Sequence, residues 1–261
     1  MSILEQQFSL AGKVAVVTGA GGRGNSIGRA YAHALAEAGA AVIVADLNAL
    51  GAAVVADEIV AGGGKAIAVG VDIADRTSVD AMAQLAIEAF GGVDILVNNA
   101  ALMAELSFTP AIDVPLDEWN RVLAVNLTGA LNCAQAVVAS MRARGGGKIV
   151  NQLSAGAFPA ATVYGVSKIA LLGLTTTLAR ELGRDGINVN AIAPGITMSD
   201  AGKTLTPEDS QFVKMVETQA VIRIRGAPSD LVGALLLLCS PAGDWMSGQV
   251  LHVDGGFVIR P

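Results

Sequence analysis

Tyr164 and Lys168 are the two residues whose types and spacing could do acid and base chemistry. They stand four positions apart in the run Tyr-Gly-Val-Ser-Lys, and residues at that spacing share one face of a helix. For tyrosine to act as a base at neutral pH, its pKa of about 10 would have to fall to about 7. One nearby cation typically lowers a pKa by about 1–3. The charge of Lys168 alone could just supply this shift, so we expect a second positive charge near Tyr164 to contribute.

A glycine-rich run, TGAGGRGNSIG from Thr18 to Gly28, offers a second kind of chemistry. It follows a short β-branched block and precedes a stretch of helical composition. Glycine allows the backbone to approach a pyrophosphate, and the start of the following helix presents free N–H groups to an anion. At the end of the next block, Asp46 could accept hydrogen bonds from the ribose hydroxyls of a dinucleotide. Two alternatives remain: the glycine loop could bind no ligand, and Asp46 could cap a helix or only face solvent.

The elements that must position these residues follow from the alternation of short β-branched blocks with alanine-rich stretches, which is typical of parallel strands covered by helices on both faces. The predicted strands are Val14–Val17, Ala41–Ala45, Ala66–Val69, Ile95–Val97, Lys148–Leu153, Asn188–Ile192 and Val250–Val253. The predicted helices are Ile27–Ala38, Leu50–Ala61, Ser78–Phe90, Leu116–Met141, Thr162–Leu182 and Ser229–Cys239.

This pattern predicts the α/β class: one Rossmann-like domain over residues 1–261, with a doubly wound parallel sheet of about seven strands. The polar stretch 194–228 follows a strand end and resists assignment. We expect it to form a substrate-binding loop or lid.

Composition excludes several classes of function. The net charge is −6, and no basic cluster is present, so a nucleic-acid partner is not expected. The apolar blocks are short, and Met1–Leu10 lacks the pattern of a secretory signal, so we expect a soluble, cytoplasmic protein without a membrane partner. His33 and His252 have no partner at metal-ligand spacing, so no metal is expected.

Further motifs in order along the chain give it a family likeness. They are Asp72-Ile73, Asn98-Asn99-Ala100-Ala101, Val125-Asn126-Leu127-Thr128-Gly129, the Tyr164 to Lys168 run, Pro194-Gly195-Ile196-Thr197 and His252-Val253-Asp254-Gly255-Gly256. Together with the glycine loop, they resemble the classical short-chain dehydrogenase/reductase family through nearly the whole chain. Ala101 replaces the final glycine of the family's Asn-Asn-Ala-Gly, a change that we expect to be tolerated.

Two departures from the family pattern concern the site directly. The glycine loop is longer than usual, and Ser26 replaces its middle glycine; a serine there can cap the helix and offer a hydroxyl to phosphate. The second departure is the position of the catalytic serine. Counting back from Tyr164 by the usual interval reaches Asn151, inside a strand, whereas Ser154 follows the strand end and has the right hydroxyl. We assign the role to Ser154 and the shortening to the loop Ala155–Val163.

The resemblance implies roles for four catalytic residues. Tyr164 is expected to be the general acid/base and Lys168 its electrostatic partner and a ribose ligand. Ser154 would hold the substrate oxygen, and Asn126 would hold a water that joins Lys168 to solvent. The expected cofactor contacts are Gly19, Gly21, Arg23, Ser26, Ile27, Asp46, Leu47, Asp72, Ile73, Asn99, Ala100, Ala101, Tyr164, Lys168, Pro194, Gly195, Ile196 and Thr197.

The expected function is hydride transfer between NAD and a secondary alcohol or ketone. Asp46 and Leu47 favour NAD, because a carboxylate would repel the 2′-phosphate of NADP, whereas Arg23 would favour NADP. Apolar residues such as Phe158, Met198 and Phe212 suggest an apolar or cyclic alcohol or ketone as the substrate. A homotetramer is expected from the resemblance and from the apolar long helices. Two alternatives stay open: an NADPH-linked reductase of 3-oxoacyl thioesters, and a catalytically silent dinucleotide-binding module.

Overall fold

The computed structural model describes residues 2–22, 24–103, 109–158, 162–200, 211–222 and 225–259. Its centre is a seven-stranded sheet in the order β3-β2-β1-β4-β5-β6-β7, with every neighbouring pair parallel. The strands are β1 (Val14–Thr18), β2 (Ala41–Asp46), β3 (Lys65–Gly70), β4 (Ile95–Asn98), β5 (Gly147–Gln152), β6 (Ile187–Pro194) and β7 (Val250–Val253). The predicted α/β class and doubly wound parallel sheet are confirmed.

Helices connect these strands and cover the sheet. They are α1 (Ile3–Phe8), α2 (Ile27–Glu37), α3 (Ala49–Ala61), α4 (Arg76–Phe90), α5 (Leu116–Leu123), α6 (Ala130–Ala143), α7 (Val163–Leu182), α8 (Gln211–Gln219) and α9 (Val232–Cys239). A π-helical turn, Ala124–Gly129, joins α5 to α6. Two helices were not predicted: α1, which has no buried residue, and α8, inside the stretch that the sequence left unassigned.

The sheet separates two apolar layers. On one face, Tyr31 and Leu35 of α2 pack with Val17 of β1 and Leu235 of α9. On the other face, Met82 of α4 and Val137 of α6 pack against further strand residues. Burial of both faces explains why β1 and β2 consist largely of runs of Val, Ile and Ala rather than alternating polar and apolar residues.

The predicted helix Leu116–Met141 is one continuous helical run, but the type of helix changes along it. Its middle, from Ala124 to Gly129, widens into the π-helical turn, which contains Asn126. The run Leu116–Ala143 is long and apolar enough to cross a membrane, a test that core helices of soluble proteins also pass. Here α6 packs against α4, β4 and β5, which accounts for its apolar composition.

The order of strands reverses between β1 and β4, and this is where a doubly wound sheet opens a crevice at its carboxyl edge. Thr18, at the end of β1, closes the bottom of that crevice. Its hydroxyl accepts hydrogen bonds from the backbone nitrogens of Asn99 and Ala100, both at 3.1 Å. The Nδ2 of Asn99 donates in return to the carbonyl oxygens of Thr18 and Gly19, both at 3.0 Å. The two strand ends are thus fixed to each other.

Changing Thr18 to valine should destabilise this junction. The side chain is 1% exposed, so the Ala100 N–H would lose its acceptor without gaining water, and the Asn99 N–H would be left with the Val97 oxygen. We expect the free energy of unfolding to fall by at least about 2 kcal/mol, measured by urea denaturation. Thr176→Val is the control, because the Thr176 hydroxyl donates only within its own helix, to Gly173, and should change stability by no more than about 0.5 kcal/mol. Equal effects of the two changes would contradict this account of the junction.

Candidate active site

Ser154 and Tyr164 meet where β5 ends and α7 begins. Ser154 lies two residues beyond β5, and Tyr164 is the second residue of α7, whose start is capped by the hydroxyl of Thr162. The two side chains are hydrogen-bonded to each other. Burial raises the pKa of Tyr164 to about 12, and the Ser154 hydrogen bond acts against that rise. In the chain alone, the phenol is therefore protonated across the neutral range.

Lys168 lies one turn further along α7, on the same face, as its spacing predicted. Its amine lies 5.5 Å from the centroid of the Tyr164 ring and donates to the backbone oxygen of Gln152 at 2.7 Å. The side chain is 1% exposed, and burial lowers the pKa of Lys168 to about 7. Near neutral pH this lysine can therefore either hold or release its proton.

Asn126 joins three parts of the site. Its Oδ1 accepts from the backbone nitrogen of Leu102 at 2.7 Å, and its Nδ2 donates to the Leu102 oxygen and to the hydroxyl of Ser167. Ser167 in turn donates to the backbone oxygen of Tyr164 at 2.7 Å. Asn126 is 2% exposed. It thus binds the segment after β4 to the first turn of α7.

Asn151, the alternative position for the catalytic serine, lies elsewhere. Its side chain accepts from Asn98 and donates to the hydroxyl of Thr175, both at 2.9 Å, and it is fully buried inside the sheet. The geometry therefore brings Ser154 to Tyr164 and leaves Asn151 in a separate buried network.

The glycine loop forms a close-fitting cradle above β1. Gly19 has φ +67°, and a Cβ there would come within 2.7 Å of the Ala100 Cα. A Cβ on Gly28 would come within 2.2 Å of the Gly19 oxygen. Ser26 caps α2 by accepting from the backbone nitrogen of Arg29, which confirms its predicted capping role. Ile27 is the first residue of the helix. Arg23 lies outside the described residues.

Asp46 ends β2 beside this cradle. Its Oδ2 accepts from the backbone nitrogen of Gly21 and its Oδ1 from that of Asn48, both at 2.8 Å. These bonds hold the carboxylate at the crevice, and Leu47 beside it is 76% exposed. Carboxylate oxygens have several acceptor positions, so Asp46 can still accept from ribose hydroxyls. The cradle and this acceptor fit a dinucleotide.

The other predicted cofactor residues line the same carboxyl edge of the sheet. Asp72 and Ile73 follow β3; Asp72 is exposed and accepts from the backbone of Ala74, whereas the Ile73 side chain packs into the core. Asn99, Ala100 and Ala101 follow β4 and continue the junction with Thr18. Pro194 ends β6, and Gly195 lies so close to Asp254 that a Cβ would come within 2.7 Å of its Cα.

The segment after β6 contacts the glycine loop, which the sequence did not indicate. Ile196 and Thr197 are bridged to Gly226. Asn25 donates its backbone nitrogen to Asp200 Oδ2 at 3.0 Å and accepts from the Asp200 backbone nitrogen at the same distance. Its side chain donates to the Met198 oxygen at 3.1 Å. The longer loop thus spans the crevice.

The structure supports the expected substrate lining only in part. Phe158 packs on the His252 ring at 4.9 Å and lines a groove of about 490 Å³ beside β7, with Leu172, Val250 and Val258 among its other walls. None of the four catalytic candidates lines that groove. Residues 104–108, and the side chain of Phe212, lie outside what the structure describes. Among the described residues, no cluster of three or more potential metal ligands occurs.

Gln152 is the site residue that sequence reasoning missed. Its backbone oxygen receives the Lys168 amine, and its side chain accepts from Tyr31 at 3.0 Å. The one available signal was a polar residue near the carboxyl end of a predicted strand. Its contact with Tyr31 could not be predicted from local spacing, because the two residues are 121 positions apart in the sequence.

Comparison with known proteins agrees with this geometry. A family model described as enoyl-(acyl carrier protein) reductase matches residues 22–258. An uncharacterized oxidoreductase of Mycobacterium tuberculosis is 49% identical over 249 residues, covering 95% of this chain and 98% of the relative. A structure of 7α-hydroxysteroid dehydrogenase with NADH and 7-oxo glycochenodeoxycholic acid is 38% identical, covers 98% of each chain and has a TM-score of 0.87.

A structure from Beutenbergia cavernae, described as an NAD(P)-dependent gluconate 5-dehydrogenase with bound NADP, is 40% identical, covers 96% of this chain and 98% of the other and also has a TM-score of 0.87. Relatives of this similarity therefore bind either dinucleotide. From the extent of these matches and the geometry of its site, the chain belongs to the short-chain dehydrogenase/reductase family and is an oxidoreductase of that family.

Proposed function

We propose that the protein interconverts a secondary alcohol and a ketone with NAD as its preferred cofactor. The observation that carries the proposal is the hydrogen bond between Ser154 and Tyr164, with the buried Lys168 amine beside the same ring. One reactive oxygen placed at this point could contact a hydroxyl donor and a proton donor at once. A silent dinucleotide-binding module would have no use for this arrangement.

The residues divide the work as follows. Bound NAD would supply the hydride acceptor for alcohol oxidation, and NADH would supply the hydride donor for ketone reduction. Ser154 holds the substrate oxygen, and Tyr164 gives that oxygen a proton or takes one from it. Because burial keeps the Tyr164 phenol protonated, the chain alone is ready for ketone reduction. Alcohol oxidation needs the tyrosinate, which positive charge at Lys168 and in the oxidised cofactor would stabilise.

The proposed cofactor residues are the glycine cradle, Ser26, Ile27, Asp46 with Leu47, and the strand-end segments 72–73, 99–101 and 194–197. Lys168 would add a ribose contact, and Asn126 would hold a water beside it. These roles rest on the family resemblance and on the position of each residue at the carboxyl edge of the sheet. The whole chain would form one domain, with 194–228 as the substrate loop.

The substrate class is the least constrained part of the proposal. The similar 7α-hydroxysteroid dehydrogenase holds a cyclic ketone, which supports an apolar or cyclic substrate here. A relative from Synechocystis described as a 3-oxoacyl-[acyl-carrier-protein] reductase, 36% identical over 258 residues, supports a second candidate, NADPH-linked reduction of 3-oxoacyl thioesters. We also propose a cytoplasmic homotetramer without nucleic-acid or membrane partners. Exposed apolar side chains such as Leu116 and Ile169, in α5 and α7, support further burial between subunits.

Tyr164→Phe should lower turnover by at least about 100-fold, the usual scale of a lost acid/base group, and should leave NADH binding unchanged. Ser154→Ala should also lower turnover severely, since the substrate oxygen would lose its hydroxyl partner. Turnover with a responsive alcohol and NADH fluorescence titration are the two measurements. Asn151→Ala serves as the comparison: it should affect stability more than turnover, because its partners are Asn98 and Thr175. Near-normal turnover of Tyr164→Phe would remove the basis of the proposal.

Asp46→Ala should erode the preference for NAD. Two like charges about 4 Å apart cost roughly 4 kcal/mol at an effective dielectric of 20, nearly a thousandfold in affinity. Arg23→Ala should leave the preference intact, because an exposed arginine pair contributes only about 0–1 kcal/mol. The measurement is kcat/KM for NAD and NADP with one substrate. Asp46→Asn is the matched control that keeps a hydrogen-bond acceptor. A wild-type preference for NADP that disappears with Arg23 would reverse the assignment.

A substrate panel separates the two candidate activities. Alicyclic, terpene and steroid alcohols should be oxidised with NAD, followed at 340 nm, with higher kcat/KM than short charged hydroxy acids. A 3-oxoacyl thioester tested with NADPH represents the second candidate. Activity confined to the thioester, or to highly charged substrates, would refute the proposed substrate class while leaving the family assignment in place.

A further inference from the structure

A hydrogen bond inside the core connects the nucleotide-binding helix to the catalytic strand. The Tyr31 hydroxyl, in the second turn of α2, donates to Gln152 Oε1 at 3.0 Å, at the last residue of β5. Tyr31 is 0% and Gln152 6% exposed. Both lie in the layer formed by α2, α9 and the strands. A polar pair placed in an apolar layer needs an explanation beyond packing, because two apolar residues would fill the same space at lower cost.

The hydrogen-bonding groups of Tyr31 and Gln152 are not all paired. Gln152 Nε2 is buried and has no hydrogen-bond partner among the residues that the structure describes. Leaving such a donor unpaired costs stability, typically about 1–3 kcal/mol. A glutamine kept at this position in spite of that cost indicates that its other contacts matter.

The backbone of Gln152 shows which contact that is. Its carbonyl oxygen accepts from the Lys168 amine at 2.7 Å. The ladder between β4 and β5 ends one residue earlier, at the pair Asn98 and Asn151, so β6 alone still pairs with Gln152. On the β4 side, Gln152 lies one residue beyond the end of the hydrogen-bonded pairing between β4 and β5. The peptide plane that carries this carbonyl is held on the β6 side, where the Leu153 nitrogen donates to the Ile192 oxygen at 2.7 Å. The Gln152 side chain, bound to α2, is the second anchor that sets the direction of the carbonyl.

We propose that Tyr31 and Gln152 are positioning residues for catalysis: the Tyr31 hydroxyl holds the Gln152 side chain, which fixes the carbonyl that receives the Lys168 amine. The proposal rests on the role given to Lys168 in the proposed function. It also means that the helix whose start forms the dinucleotide cradle helps to set the charge of the catalytic lysine.

The charged and titratable groups around this chain of contacts are few. Tyr164 lies against the Lys168 amine, and Lys168 makes no ion pair in the described part of the chain. Cys239 of α9 is the titratable group that faces Tyr31; burial raises the pKa of its thiol to about 12, so it stays neutral. Since the carbonyl stabilises the charged amine and burial opposes it, losing the carbonyl would make Lys168 easier to deprotonate.

Tyr31→Phe tests the proposal, because it removes the hydroxyl and keeps the ring. We expect the Lys168 titration midpoint, followed through the ¹³Cε signal of labelled lysine and assigned by its loss in Lys168→Met, to fall by about one pH unit. The acid limb of kcat/KM for alcohol oxidation should move to higher pH. At neutral pH, kcat should fall roughly tenfold, the equivalent of one pH unit in an ionisation, with KM for NAD unchanged.

Two further variants keep the test independent of folding. Gln152→Met removes the same hydrogen bond and the unpaired donor together; it should shift the midpoint as Tyr31→Phe does, and the double variant should add no further shift. Thr175→Val is the matched control, since its buried hydroxyl binds the neighbouring β5 residue, Asn151, on the opposite face of the sheet. It should lower stability without shifting the midpoint.

An unchanged midpoint in Tyr31→Phe and Gln152→Met would overturn the proposal, as would an equal shift in Thr175→Val. These outcomes are distinct from a failure of the proposed function. If Tyr164→Phe remains active while the Lys168 midpoint shifts in the two variants, the positioning contact stands and the acid/base assignment falls. If Tyr164→Phe is inactive and the Lys168 midpoint is unchanged in Tyr31→Phe and Gln152→Met, the acid/base assignment stands and the positioning contact falls.

Discussion

The interaction on which the site depends is the burial of the Lys168 amine against the carbonyl of Gln152. An ammonium group removed from water loses its hydration, which is why the pKa of Lys168 falls to about 7. One short hydrogen bond from a strand end offsets part of that loss. The position of β5 relative to α7 therefore determines how much positive charge lies beside Tyr164. The packing of α7 on the sheet thus affects the electrostatics of the site.

The same reasoning explains why so many polar contacts converge at the carboxyl edge of the sheet. A parallel strand that ends at the crevice leaves backbone groups that no neighbouring strand can pair. Thr18 and Asn99 satisfy these groups between β1 and β4, Asn126 satisfies those of Leu102, and Lys168 satisfies Gln152. Residues that we propose to bind ligands or move protons thus also complete the fold, and we expect changes to them to combine structural and chemical effects.

Much of the fold could be predicted because its strands are buried on both faces and its helices fit between them at regular intervals. The spacing of Tyr164 and Lys168 was sufficient to place both on one helix face. Contacts between distant segments could not be predicted in this way. The bond from Tyr31 to Gln152 depends on how α2 rests on the sheet, and the π-helical turn around Asn126 depends on the tertiary contacts of Asn126 with Leu102 and Ser167. No local pattern encodes these contacts.

The longer glycine loop illustrates how such a contact changes the meaning of a sequence feature. As a sequence, the extra residues are only a departure from the family pattern. In the structure, the Asn25 backbone nitrogen donates to the Asp200 carboxylate, and the Asp200 backbone nitrogen donates to the Asn25 oxygen. Gly24, at φ +59°, lies so close that a Cβ there would clash with Asp200 Oδ2. Glycine is therefore required at that position by both backbone angle and space. The insertion connects the nucleotide loop to the segment after β6, so these two walls of the crevice cannot move independently while the contact is intact.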